Sequence, residues 1–359
     1  MEDNLPLAPA AEPTFVSPEP PAKGSIFFGR FGMRAGWGFA IFFVAVAILI
    51  VVGSLVGLAA GGHLKEVVTA QRYAAGHPQE PKKALHLPFE PSMAIGSDGF
   101  SFFGMLAICW VFSRAERRRL GYYGIGRNRL GDFLPGAFWG LAALSLLVLV
   151  LHSFHLLFFD QRLLFGPGIF LYGIKWLIAF LFVGFSEEYM LRGYLQFTLT
   201  RGVFGIGEDT SPERARAIAF WIAATIMSIT FGAMHLNNGG ENALGILQVF
   251  FVGMVFSYAL WRTGSLWWSI GFHMAWDWAQ SFLYGVPDSG NISVGRLFQT
   301  HTAGKPLLSG GVDGPEGSLI CVPIMLLVLA VIRFTTKPGP QPPLEQLPAA
   351  APESATLIA

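Results

Sequence analysis

Eight long apolar stretches, at residues 37–60, 93–113, 133–156, 169–200, 217–235, 243–261, 265–284 and 319–332, restrict this chain's fold more than any other feature. A helix crossing a bilayer takes about 20 predominantly apolar residues. The first stretch, WGFAIFFVAVAILIVVGSLVGLAA, carries no charge anywhere. Hydrophobic residues make up 53% of the 359-residue chain and charged residues 13%, with 33 Phe and 10 Trp. Soluble domains carry about 25% charged residues. The expected fold is all-α: a polytopic membrane helical bundle of about eight transmembrane helices.

Residues 1–30 and 337–359 are rich in Pro, Ala and Glu and are expected to be disordered tails. Between them, residues 31–165 are expected to hold the first three helices and a basic loop, 166–290 a core unit, and 291–336 an outer loop and the last helix. No cleavable leader and no lipidated cysteine box are expected, so membrane attachment should come from the spans themselves. The net charge of +1 gives no support to a nucleic-acid partner. Cys109 and Cys321 both lie in apolar runs, which argues against a disulfide framework.

Cationic residues collect on the cytoplasmic side of membrane proteins. Arg114, Arg117, Arg118, Arg119, Arg127 and Arg129 follow the second span. Alternation then places Arg30, Arg34, Arg201, Arg214, Arg216, Arg262, Arg333 and Lys337 on the same side. Both tails are expected in the cytoplasm, with the bilayer a bacterial inner membrane. The 63–92 loop, with Lys65, Arg72, Lys82 and Lys83, is discordant.

Charged side chains at membrane depth are expensive and usually functional. In SEEYMLRGYLQ, Glu188 and Arg192 stand four residues apart and share a helix face, the spacing of an ion pair. Glu187 is rotated from Glu188 by about 100° and points elsewhere. In FGAMHLNN, Phe231 and His235 share a face; in GFHMAWDW, His273 and Asp277 do. Glutamate and histidine are the usual general bases for activating water. The same groups could hold zinc with an open position for water, or relay protons in a transporter. A transporter should show repeated halves, and none is visible. His152 and His155 read as interfacial, and Lys175 as reaching the outer interface.

In their order, Glu187-Glu188-Tyr-Met-Leu-Arg192, Phe231-Gly-Ala-Met-His235 and His273-Met-Ala-Trp-Asp277 resemble the CPBP family, the CAAX-protease and bacteriocin-processing (Abi) intramembrane proteases. That resemblance, over roughly residues 170–285, implies hydrolysis of a peptide bond in a membrane-associated or prenylated (CAAX-type) substrate. It implies that Glu187 and His235 polarise water, and that His273 and the residue at 277 stabilise the oxyanion. Glu188, Arg192 and Phe231 would support the site. Many family members carry Asn where this chain has Asp277, which must then be protonated, orient His273 or ligate a metal. Whether zinc takes part stays open here, with Glu187, His235, His273 and Asp277 as its candidate ligands. A non-catalytic immunity or scaffolding protein of the same fold is the alternative.

Convergence of these groups requires a polar cavity within the bundle. Counting residues inward from the arginines predicts that it opens toward the arginine-bearing, cytoplasmic side.

Overall fold

Apolar runs this long become helices, and the computed structural model shows which of them cross the bundle. It describes residues 26–29, 32–77, 87–207, 211–238, 240 and 242–339; the two tails expected to be disordered lie almost wholly outside this set. A small antiparallel pair, β1 (Phe28–Gly29) and β2 (Gly32–Met33), precedes α1 (Ala35–Ala60), α2 (Leu64–Gly76) and α3 (Pro91–Ala115). Then come α4 (Phe133–Ser153), β3 (Leu157–Arg162) and α5 (Pro167–Glu188). The last of these continues through a π-helical turn, Tyr189–Leu195, into α6 (Gln196–Gly202). Next are α7 (Pro212–Met234), α8 (Ala243–Thr263) and α9 (Trp267–Trp278), which runs on as a second π-helical turn, Ala279–Tyr284. The chain closes with β4 (Phe298–Thr302), α10 (Pro306–Ser309) and α11 (Cys321–Thr335).

Among the described residues, six segments are long and apolar enough to cross a membrane: Ala35–Ala60, Pro91–Ala115, Leu120–Ser153, Pro167–Gly202, Pro212–Met234 and Ala243–Thr263. The protein is therefore an integral membrane protein with a helical-bundle fold. The seventh and eighth apolar runs are helical as well but shorter, at 12 residues for α9 and 15 for α11. The free cysteines Cys109 and Cys321 are both buried.

Long-range polar contacts divide the bundle into two ends. At one end Glu116, fully buried, receives Arg201 Nη2 at 3.0 Å and the Tyr123 hydroxyl at 2.9 Å. Arg118 Nε lies 3.2 Å from the same carboxylate, and the Met33 amide donates to it. Arg129 and Arg262 bind the backbone after α11 at Lys337 and Thr336. The opposite end is knit from connecting segments. The Val294 amide donates to Phe89, Asn242 Nδ2 donates to Asp313 at 2.7 Å, and β3 pairs with β4.

Helices in lipid gain little from hydrophobic burial against each other, so close backbone approach at small residues does more of the work. Two glycines one turn apart on α4 show this. A Cβ on Gly136 would stand 2.0 Å from the Trp268 carbonyl oxygen, and one on Gly140 would stand 2.2 Å from that of Phe272. Gly271 on α9 returns the contact, with a Cβ position 2.1 Å from the Phe133 oxygen. Since Phe272 precedes His273, this seam sets the depth of the imidazole. Gly140→Leu should push α9 off α4 and lower stability by roughly 1–3 kcal/mol or more, as overpacking does. Thermal unfolding of the purified protein in detergent measures this; an unchanged midpoint would show that the seam is not tight.

Candidate active site

The α5 run ends in two glutamates that helical phase separates. Glu188 and Arg192 are both fully buried, with Arg192 Nη1 2.9 Å from Glu188 Oε1. The guanidinium also stacks between aromatic rings, 4.2 Å from the centroid of Phe231 and 5.7 Å from that of Phe256. Gly253 on α8 leaves room for it, because a Cβ there would fall 2.8 Å from Nη2. Glu187 turns the other way, with its side chain 27% exposed, and lines a cavity of about 230 Å³. The π-helical turn begins one residue after Glu188. Such turns re-aim side chains and concentrate at functional sites.

His273 stands at the centre of the carboxylates. Its Nδ1 lies 3.4 Å from Glu188 Oε1; its Nε2 lies 3.4 Å from Asp277 Oδ2 and 3.8 Å from Glu187 Oε2. Trp278 anchors this part of α9 by donating from Nε1 to the Gly173 carbonyl on α5 at 2.9 Å. Glu188 thus faces both Arg192 and His273, a second contact that helical phase alone does not reveal.

His235 sits where α7 stops, just before the turn-forming residues Asn237 and Asn238. Its Nδ1 is 2.9 Å from the Phe231 carbonyl oxygen. A carbonyl only accepts, so Nδ1 carries the hydrogen, and Nε2 of the neutral ring is left as an acceptor. The Phe231 ring stands between the two histidines, 5.0 Å from the His235 ring and 6.2 Å from that of His273. Glu187, His235, His273 and Asp277 all line the one cavity; Glu188 and Arg192 lie behind its wall.

The cavity lies away from the arginine-bearing end. Its lining includes Phe89, Asn238, Ser289, Asn291 and Glu316, all from connections at the opposite end. The error has a simple origin. Depth counted from Arg216 puts His235 far along α7, and that far end is where the cavity lies.

Zinc is the metal this donor chemistry would suit, and the donors are not arranged for it. Among the described residues no group of three or more His, Cys, Asp or Glu is placed to share a metal ion. His273 already faces carboxylates from both ring nitrogens, and His235 stands across the Phe231 ring.

A sequence model of type II CAAX prenyl endopeptidases, Rce1-like, matches residues 169–279. That segment is similar to this family. Its limits run from the start of α5 to the end of α9, and so enclose Glu187, Arg192, Phe231, His235, His273 and Asp277. Among curated proteins and among solved structures, no match was found.

Cavity residues outside the three motifs include Asp98 on α3, Gln248 on α8, Asp288 and Glu316. Asp98 and Gln248 could have been singled out as polar residues inside apolar runs; Asp288 and Glu316 sit in loops without periodicity. The Ser281 hydroxyl donates to Asp288 Oδ2 at 2.8 Å, and Ser289 donates to Glu316. Burial pushes the Asp288 carboxyl up to about 6.

Proposed function

We propose that the protein is an intramembrane endopeptidase that hydrolyses a peptide bond in a membrane-associated substrate, with prenylated CAAX-type tails the family's named substrates. The observation that carries this is the shared cavity, in which an accessible glutamate and a histidine with a free Nε2 face a second histidine held by carboxylates.

Water lodged between Glu187 and His235 gives a proton to the Glu187 carboxylate as its oxygen bonds to the scissile carbonyl carbon. The carbonyl oxygen takes up the negative charge. His273 faces it with an N–H; carboxylates near both ring nitrogens suit an imidazole carrying hydrogen on each. Asp277 orients that ring, which is the role its position beside Nε2 supports. The proton held by Glu187 then passes to the departing amine as the C–N bond breaks, giving an amine and a carboxylic acid whose remaining proton is taken by His235 Nε2 and passed to solvent. Glu188 and Arg192 brace His273 and Phe231 without touching substrate.

His235→Ala should slow cleavage of apolar peptides in proteoliposomes by about 10²–10⁴-fold, the scale of a lost acid–base partner. Excess chelator should leave the wild-type rate unchanged. Retained cleavage in His235→Ala, or loss of cleavage in chelator, would remove this mechanism.

The arginine-bearing end is assigned to the cytoplasm by its cations. On this reading the bilayer is a bacterial inner membrane with both tails, which lie almost wholly outside the described residues, on its cytoplasmic side, and the cavity is at the outer end. Cys109 and Cys321 are buried, so a single introduced cysteine reports orientation. In intact cells a membrane-impermeant maleimide should label Lys305→Cys, whereas Arg127→Cys should react only after permeabilisation; both positions are exposed. The reverse pattern would invert the topology.

A further inference from the structure

The cavity wall is one-sided in its chemistry. Five carboxylate side chains line it: Asp98, Glu187, Asp277, Asp288 and Glu316. Among the described residues, no lysine or arginine lines it. Three of the five lie outside the histidine cluster, on α3 and in the connections, where hydrolysis as derived above gives them nothing to do.

Gln248 points to a ligand independently. It is only 3% exposed and lines the same cavity. Its Nε2 donates to the Ser318 carbonyl at 2.7 Å, which fixes the amide orientation, because a carbonyl cannot donate in return. Its Oε1 is then a buried acceptor with no hydrogen-bond partner among the described residues. An unsatisfied acceptor at that depth is costly unless something brought into the cavity donates to it.

We infer that the cavity selects a peptide segment bearing a cationic side chain, lysine or arginine, which Asp98, Asp288 and Glu316 hold by charge while Gln248 Oε1 accepts a hydrogen bond from it. The occupant is thus a positively charged stretch at a membrane boundary. This rests on the endopeptidase reading for the cleavage step but not for the binding step.

The test uses the full chain in proteoliposomes and a set of synthetic quenched-fluorescent apolar peptides. Each carries one Lys, Gln or Glu, moved in turn along the peptide. At the best position, cleavage efficiency should fall from Lys to Gln to Glu, with about tenfold or more between the first two, as loss of a close charge pair implies. In Asp98→Asn and Asp288→Asn proteins that keep the wild-type unfolding midpoint, the Lys-to-Gln ratio should fall toward one.

Binding is followed in parallel by fluorescence anisotropy. Lys peptides bound in preference but left uncut would uphold the selection and overturn the endopeptidase reading. Cleavage indifferent to charge, or a Lys preference undiminished in both variants, would overturn the selection and leave the endopeptidase reading standing. Failure of every peptide to bind would overturn the selection as well.

Discussion

Glu187→Gln should reduce peptide cleavage by about 10²–10⁴-fold or more while leaving a folded protein, because it deletes a general base and keeps the side-chain shape. The fold should survive because Glu187 is the partly exposed member of the pair, and its nearest ionic partner, His273 Nε2, is 3.8 Å away and also faced by Asp277. The same substitution at Glu188 should behave differently, because Glu188 is fully buried between Arg192 and His273. Turnover by purified protein, with unfolding recorded on the same samples, separates the two. If Glu187→Gln retains wild-type turnover, water is not activated at this carboxylate.

Arg192→Met should produce the largest loss of stability. It leaves Glu188 buried without its guanidinium, and breaking one side of a buried pair costs roughly 3–5 kcal/mol. Arg192 also stacks on Phe231 and Phe256, so Arg192→Lys should recover only part of the loss; an ammonium cannot reproduce the planar contact. Combining Arg192→Met with Glu188→Gln should recover more, because the orphaned charge is then removed. Thermal unfolding of the three variants in one detergent is the check. An Arg192→Met midpoint equal to wild type would mean that the pair does not hold the π-helical turn in place.

Much of this was readable before any coordinates. Run length alone locates the helices, because lipid admits few alternatives to a helix with its backbone satisfied internally. Helical phase separates Glu187 from Glu188. The limits of the Rce1-like match, 169–279, also agree with the span over which the three motifs were found.

What stayed hidden is long-range. Asp98 lies in GSDGF, a stretch with no motif, and reaches the cavity only because α3 packs against α5. Asp288 and Glu316 come from a connection whose course is set by tertiary bonds such as Asn242 to Asp313. Glu116 shows the same limit at the other end, where its partner Arg201 is 85 residues away. Side choice also misled: counting depth from the arginines assumed that the cavity was near them, whereas it lies where α7 ends.

The central claim is that Glu187, His235 and His273 act as one unit on one substrate. A mutant cycle on cleavage of a single peptide tests it most directly, using Glu187→Gln, His235→Ala, His273→Ala and their pairwise combinations. Groups acting as a unit are strongly non-additive, so each double variant should be about as slow as its slower single parent. If the losses simply multiply, the three residues act independently and the shared-cavity mechanism is contradicted.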